Sequence, residues 1–287
     1  MPTLYVVATP IGNLGDMTPR AIETLKSVSL IAAEDTRVTQ KLLSAFDIHT
    51  PLTSCHEHNE RGKAAQIVRR MLEEDIDVAV TTDAGTPCIS DPGSALVRAA
   101  VDNGIEAVAV PGPTAMASAL SVSGYEISEF TFFGFLPRQR GELCEKLIDM
   151  ARRSRLAVVH ESPHRVRELL ATVGETLPHT MVSASCDLTK KYEKTLRGPV
   201  AQVLEAIEQN PKAEKGEYCL VFAWAGEDIP APEAPKSTLS LEARLFDGLA
   251  RGMSLRESME EVTAQGERKN AVYAASLRVK QLMADAD

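Results

Sequence analysis

Val78-Ala79-Val80-Thr81-Thr82-Asp83-Ala84-Gly85-Thr86-Pro87-Cys88-Ile89-Ser90-Asp91-Pro92-Gly93 is the stretch on which the fold turns. Its first three residues form a short apolar run with two β-branched members, which suits a buried strand. Asp91-Pro92-Gly93 reads as a helix start, with Asp91 as N-cap and Pro92 at the first helical position. That helix would bury Ala95, Leu96, Ala99 and Ala100, and Gly104 stands where a left-handed residue closes it. The segment between is long, small and polar. In an α/β sheet, a long loop at the carboxyl end of a strand is where ligands bind.

The chain of 287 residues is 44% hydrophobic and 25% charged, enough for two domains or somewhat more. No apolar run approaches the roughly 18 residues of a membrane span, and no leader peptide is expected. Five scattered cysteines without a CxxC pair fit reduced thiols in a cytoplasm. The net charge of −9 argues against a general nucleic-acid coat, but it is uneven: −8 over 1–135, +4 over 136–200 and −5 over 201–287. One basic segment in an acidic chain can meet a polyanion on a single face, or it can be an ordinary solvated helix surface.

Working outward, Leu4–Ala8 predicts a strand, a Gly-rich loop from Thr9 to Asp16, and a helix capped by Thr18 with Pro19 at its start. The loop presents backbone N–H groups, but its spacing is not the G-x-G-x-x-G of dinucleotide sites. Leu30–Ala33 and Glu106–Val110 predict further strands, and Thr36–Phe46 and Ala115–Leu120 further helices. These alternations make residues 1–120 a mostly parallel α/β domain. Residues 121–228 read as a mixed α+β domain. It has strands at Thr131–Phe135, Leu156–Val159 and Gly216–Ala225, and a hairpin around Thr189-Lys190-Lys191. Ser162 is expected to cap a helix running from Pro163 to Gly174. Pro-rich 229–236 is a stiff linker, and 237–287 a small helical appendix, helix-turn-helix-like, with a Ser254–Glu257 capping box. His56-Glu57-His58 lacks a third ligand at metal spacing, so no metal is expected.

Several segments resemble the tetrapyrrole methylase superfamily of two-domain AdoMet-dependent methyltransferases: Thr9–Asp16, Ala33–Arg37, His56–Asn59, Asp83–Pro87 with Ile89–Gly93, Pro111–Thr114, Gly134–Pro137, Glu161–Arg165 and Leu188–Lys191. Within it they are most similar to the branch that 2′-O-methylates a cytidine in the decoding centre of bacterial 16S rRNA. The chain has Gly85-Thr86-Pro87 where members acting on tetrapyrroles carry Gly-Asp-Pro, and Cys186-Asp187 where the RNA branch reads Arg-Glu. The resemblance implies S-adenosyl-L-methionine in a cleft between the domains, contacted by Pro10, Gly12, Gly85, Thr86, Pro87, Ile89, Thr114 and Ala115. It also implies a cytoplasmic homodimer acting on 16S rRNA within the small ribosomal subunit.

Methyl transfer to a hydroxyl asks for orientation, and for a base or a cation at the developing alkoxide. Candidates are Glu161 or His164 as base and Lys190 or Lys191 as the cation. Alternatively, Glu161 serves only as a partner of Arg165, and the lysines are a solvated hairpin tip. Arg138, Arg140, Arg152, Arg153, Arg165 and Arg167 are the candidates for phosphate contacts. Two other functions compete. A tetrapyrrole C-methyltransferase would want a less basic cleft, and a non-enzymatic RNA-binding module would not bind AdoMet.

Overall fold

The computed structural model describes residues 1–56, 59–211, 213–226, 229, 239–265 and 267–284. Contacts divide the chain into a unit Met1–Pro230 and a unit Ala231–Asp287.

The first unit holds two five-stranded sheets. In the first sheet, β1 (Thr3–Val7), β2 (Leu30–Ala33), β3 (Leu52–Ser54), β4 (Val78–Thr81) and β5 (Glu106–Val110) are ordered β3-β2-β4-β1-β5. All of its pairings are parallel. β2 and β4 are buried along their whole length, which is why they read as continuous apolar runs. One face packs on α1 (Pro19–Ser27) and α2 (Thr36–Ala45) through Ala21, Leu25 and Leu43. The other packs on α3 (Glu60–Glu74) and α4 (Ser94–Asp102) through Ile67, Met71, Leu96 and Ala100.

β1 and β4 are neighbours, yet their following helices leave on opposite faces. This is the topological switch point of the sheet, and their carboxyl-end loops part there to form a crevice. Thr9 and Gly85 tie the two loops together by reciprocal backbone bonds of 2.8 and 3.0 Å. A Cβ on Gly112, after β5, would lie 2.9 Å from the Ala8 Cβ, so the third loop passes as close as a side chain allows.

In the second sheet, β6 (Thr131–Gly134), β7 (Leu156–Glu161), β8 (Met181–Cys186), β9 (Lys194–Pro199) and β10 (Tyr218–Ala223) are ordered β6-β7-β10-β8-β9. Only β6–β7 is parallel. Its outer face is covered by α6 (Arg140–Arg153), α7 (Val166–Thr176) and α8 (Val200–Glu208), with Leu147, Leu170 and Val203 in the core. Its inner face receives α5 (Ala115–Ser121), where Ala119 and Leu120 meet Val158 and Val221. A helix that follows the first sheet therefore packs on the second and braces the two at the crevice.

Thr18 and Ser254 cap as the sequence predicts, and Thr114 caps α5. Gly104 (φ 74°) closes α4. Two helix starts differ. α4 begins at Ser94, because Gly93 (φ 121°) breaks the turn and Asp91 is not its cap. The cap comes instead from Glu60, whose Oε1 accepts from Gly93 N and Ala95 N at 2.7 Å each. α7 begins at Val166, and Ser162–Arg165 form a turn through the Ser162 carbonyl. Replacing Glu60 with alanine strips both amides of their acceptor. The expected loss is about 1–2 kcal/mol, read from the urea midpoint at unchanged slope.

In the second unit, α9 (Leu241–Ala250), α10 (Leu255–Ala264) and α11 (Lys269–Ala284) enclose Leu245, Val262, Val272, Ala275 and Val279. Gly248 lies directly against Ser258, where any side chain would clash. Buried Arg244 bridges Glu267 and Gln265 at 2.6 Å each. Arg278 bonds Glu242. No helix among the described residues is long and apolar enough to cross a membrane.

Candidate active site

The crevice is a cavity of about 480 Å³, within the range of small-molecule sites. Its first-sheet wall includes Ile11, Glu34, Thr82, Asp83, Ala84, Ile89, Asp91 and Ala115, at the ends of β1, β2 and β4 and the start of α5. Its second-sheet wall includes Phe135, His160, Glu161, Asp187, Lys190, Glu217 and Tyr218. A smaller hollow of about 60 Å³ continues it towards Gly85, Thr86, Thr114 and Met116. A broader depression outside α3 and α4 lies at the amino ends of those helices.

The backbone is strained where it faces this cavity. Of the six non-glycine residues with positive φ among the described residues, Cys88 and Ser90 lie in the β4 loop, and Asp187 and Thr189 in the β8–β9 hairpin. Such conformations persist only where the surroundings impose them. Here the two sides hold each other. A Cβ on Gly12 would lie 2.5 Å from Lys190 Cγ and 3.1 Å from Thr189 Oγ1, so the first loop packs directly on the hairpin tip.

The acidic side comprises Glu34, Asp83 and Asp91. Glu34 Oε2 accepts from Thr82 Oγ1 at 2.5 Å and from Asp83 N at 3.2 Å. Burial, with Glu34 and Asp35 nearby, raises Asp83 above the usual carboxylate range. Burial, then the Glu34 and Asp83 charges, push Asp91 up to about 6. A carboxyl that titrates higher folded than unfolded keeps its proton longer in the native state. Stability therefore falls as pH rises from about 4 to about 6 and is level above. Asp91→Asn is expected to raise Tm at pH 7.5, with the gain vanishing towards pH 4 in a scanning series.

On the opposite wall, Lys190 Nζ bonds Asp187 Oδ1 at 2.8 Å and Glu217 Oε2 at 3.1 Å. Burial pulls this ammonium down, but the two carboxylates outweigh it and leave it above the ordinary lysine value. Glu161 is only 3% exposed. Its Oε1 accepts from Ser162 N at 2.7 Å. Its Oε2 lies 3.5 Å from Arg165 and accepts no hydrogen bond. Burial raises its carboxyl, opposed by the Ser162 N–H and the Arg165 charge. Burial, opposed by the Glu217 charge, lowers His160, whose ring lies 5.1 Å from Phe132 and 5.9 Å from Phe135.

The sequence candidates thus separate. Glu161 and Lys190 line the cavity, whereas His164 and Lys191 do not. Ile89 and Ala115 line it, and Gly85, Thr86 and Thr114 line its continuation. Gly12 supports Lys190 from behind. Pro10 and Pro87 belong to the same loops without lining the space. The six arginines are not brought together. Arg140 pairs with Glu175, Arg153 with Asp149 and Arg167 with Glu214. Arg140 and Arg153 stand at opposite ends of α6, about 20 Å apart, with Arg152 beside the latter. Arg165 turns inward to the Leu136 and Pro137 carbonyls. Exposed Arg138 carries no ion pair among the described residues, and its charge reaches Glu161. Sequence reading missed Glu34, Asp83, Asp91, His160, Glu217 and Tyr218 as cavity residues. The one local signal was that three of the six, Glu34, Asp83 and His160, sit at or just beyond a strand's carboxyl end. Glu57 and His58 lie outside the described residues, among which no group of three metal-ligating side chains occurs.

Two crossed strand ends, three laced loops and a second sheet closing the crevice are the architecture of a known family. The model of the Tetrapyrrole (Corrin/Porphyrin) Methylases matches residues 3–204. The chain is 41% identical over 282 residues to ribosomal RNA small subunit methyltransferase I of Synechocystis sp., covering 98% of this chain and 99% of that one. It is 38% identical over 277 residues to the protein of the same name from Bacillus subtilis, covering 96% and 94%. The crystal structure of diphthine synthase superposes with a TM-score of 0.59 at 11% identity, over 79% of this chain and 92% of that one. The chain belongs to the tetrapyrrole methylase family, and within it to the group of the ribosomal RNA small subunit methyltransferases I.

Proposed function

We propose that the protein transfers a methyl group from S-adenosyl-L-methionine to the ribose 2′-hydroxyl of a cytidine in the decoding centre of 16S rRNA. The observation that carries the reading is the pairing across one crevice of a buried carboxylate and a fixed ammonium, Glu161 and Lys190, with an unneutralised acidic wall. Near-full-length relatives with a ribosomal RNA methyltransferase name support the substrate class.

The acidic wall fits the donor. No lysine or arginine of the cavity lies on the side of Glu34, Asp83 and Asp91, and a cationic ligand would offset the burial and the mutual repulsion that together raise Asp83 and Asp91. When bound, AdoMet supplies a methyl on a positively charged sulfur and leaves as a neutral thioether, so no general acid is needed. Gly85, Thr86, Ile89, Thr114 and Ala115 would hold it, with the three carboxylates as acceptors. Lys190 offers an ammonium to the oxygen that gains charge, and Glu161 offers a vacant carboxylate oxygen to the hydroxyl proton. In this scheme residues 1–120 bind the donor and 121–228 present the RNA. The 229–236 segment joins them to the helical 237–287 region, and the protein works in the cytoplasm as a homodimer on the small ribosomal subunit.

The test is transfer of labelled methyl from AdoMet to small subunits lacking ribose methylation, with nuclease digestion and mass spectrometry of the product. One 2′-O-methylcytidine at one site is expected. Retained AdoMet binding without transfer would overturn the reading.

A further inference from the structure

Behind the β8–β9 hairpin lies a second cavity, of about 400 Å³, that the chemistry above does not use. It opens on the outer face of the second sheet, with Ala184 and Leu196, and adjoins the catalytic crevice around the strand ends at Asp187 and Tyr218, which line both spaces. Its floor is apolar at Ala184 and Leu196. Its rim carries Tyr192, Lys194 and Lys215. Tyr192 is 74% exposed, unusual for a phenol ring at a cavity edge, and Lys191 Nζ lies 5.5 Å from its centroid. Lys194 and Lys215 are exposed and form no ion pair among the described residues. The acid in the lining, Asp187, is already neutralised by Lys190.

We propose that this cavity is a subsite for a single-stranded RNA nucleotide flanking the methylated one. Its base stacks on Tyr192, and its phosphates are met by Lys194 and Lys215. The inference rests on the rRNA reading of the main site. An aromatic face beside unpaired cations is what sequence-tolerant binding of unstacked nucleotides requires. In a chain of net charge −9 these lysines are local, so they fix where the strand runs rather than attracting RNA generally. A stacked neighbour would keep the splayed target nucleotide turned into the crevice, and a position just around the Asp187 and Tyr218 strand ends suits the next residue along the strand.

Three experiments on the full chain test this. First, a single-stranded RNA dodecamer carrying one 5-iodouridine is irradiated with the protein in the presence of AdoMet, and the adduct is mapped by peptide mass spectrometry. It is expected on Tyr192. Second, steady-state transfer to small subunits is measured. Tyr192→Ala should raise KM roughly 5- to 100-fold with kcat and AdoMet affinity unchanged, and Tyr192→Phe should behave as the parent. Lys194→Gln with Lys215→Gln should flatten the log–log salt dependence of binding to the dodecamer by about 1.4. An adduct elsewhere, or an unchanged KM in Tyr192→Ala, overturns the subsite. So does an effect on whole subunits with no adduct on the free RNA, which would identify a ribosomal protein as the occupant. If the parent methylates no subunit at all, the main reading fails by itself, and the adduct still decides the subsite.

Discussion

Glu161→Gln is expected to lower single-turnover methyl transfer by about 10²- to 10⁴-fold while leaving AdoMet affinity unchanged. The substitution preserves volume at a site that is 3% exposed and keeps an oxygen for the Ser162 amide. What it removes is the other oxygen, which is buried, accepts no hydrogen bond and lies 3.5 Å from Arg165 at the cavity wall. The pH–rate profile separates a base from a mere partner of Arg165. The parent rate should fall as acid protonates a carboxyl that burial has already raised. In the variant that acid limb should be gone. If the limb survives, Glu161 acts only by anchoring Arg165, which the Leu136 and Pro137 carbonyls also hold.

Lys190→Gln is expected to cost about 10²- to 10³-fold in the same assay, the usual loss when one preorganised donor to a developing anion is removed. The glutamine reaches Asp187 but brings no charge, so Asp187 and Glu217 then face each other without their shared cation. A thermal scan distinguishes this from unfolding, because the hydrophobic cores lie elsewhere. Lys190→Arg keeps the charge and the methylene packed on Gly12, and should recover part of the rate. Equal turnover in Lys190→Gln and the parent would remove the ammonium from the chemistry.

The alternation of short β-branched runs with capped amphipathic stretches was enough to lay out four strands of the first sheet, β1, β2, β4 and β5, because there each element is specified by its own residues; β3, three half-buried residues at the sheet edge, carries no such run. α6 carries the same kind of local signal, with Leu143, Leu147, Met150 and Ala151 at helical spacing. The start of α4 was not legible. Its cap comes from Glu60, more than thirty residues upstream, and no local pattern announces an acceptor delivered across two helices. The same limit applies to the site. Glu161 and Lys190 stand in motifs that point to them. Glu34 becomes a neighbour of Asp83 and Asp91 only because β2 lies beside β4 in the sheet order. Topology, rather than any stretch of sequence, assembles the acidic wall.

The paired bonds between Thr9 and Gly85 also bear on exchange with solvent. Loops normally surrender their amide protons within seconds, each residue on its own schedule. Here two amides from loops some 75 residues apart in the chain are sealed by each other's carbonyls. They should exchange slowly and at one common rate, as a single opening event, while neighbours such as Ile11 and Ala84 exchange freely. Deuterium uptake at these two positions would therefore report the breathing of the whole crevice.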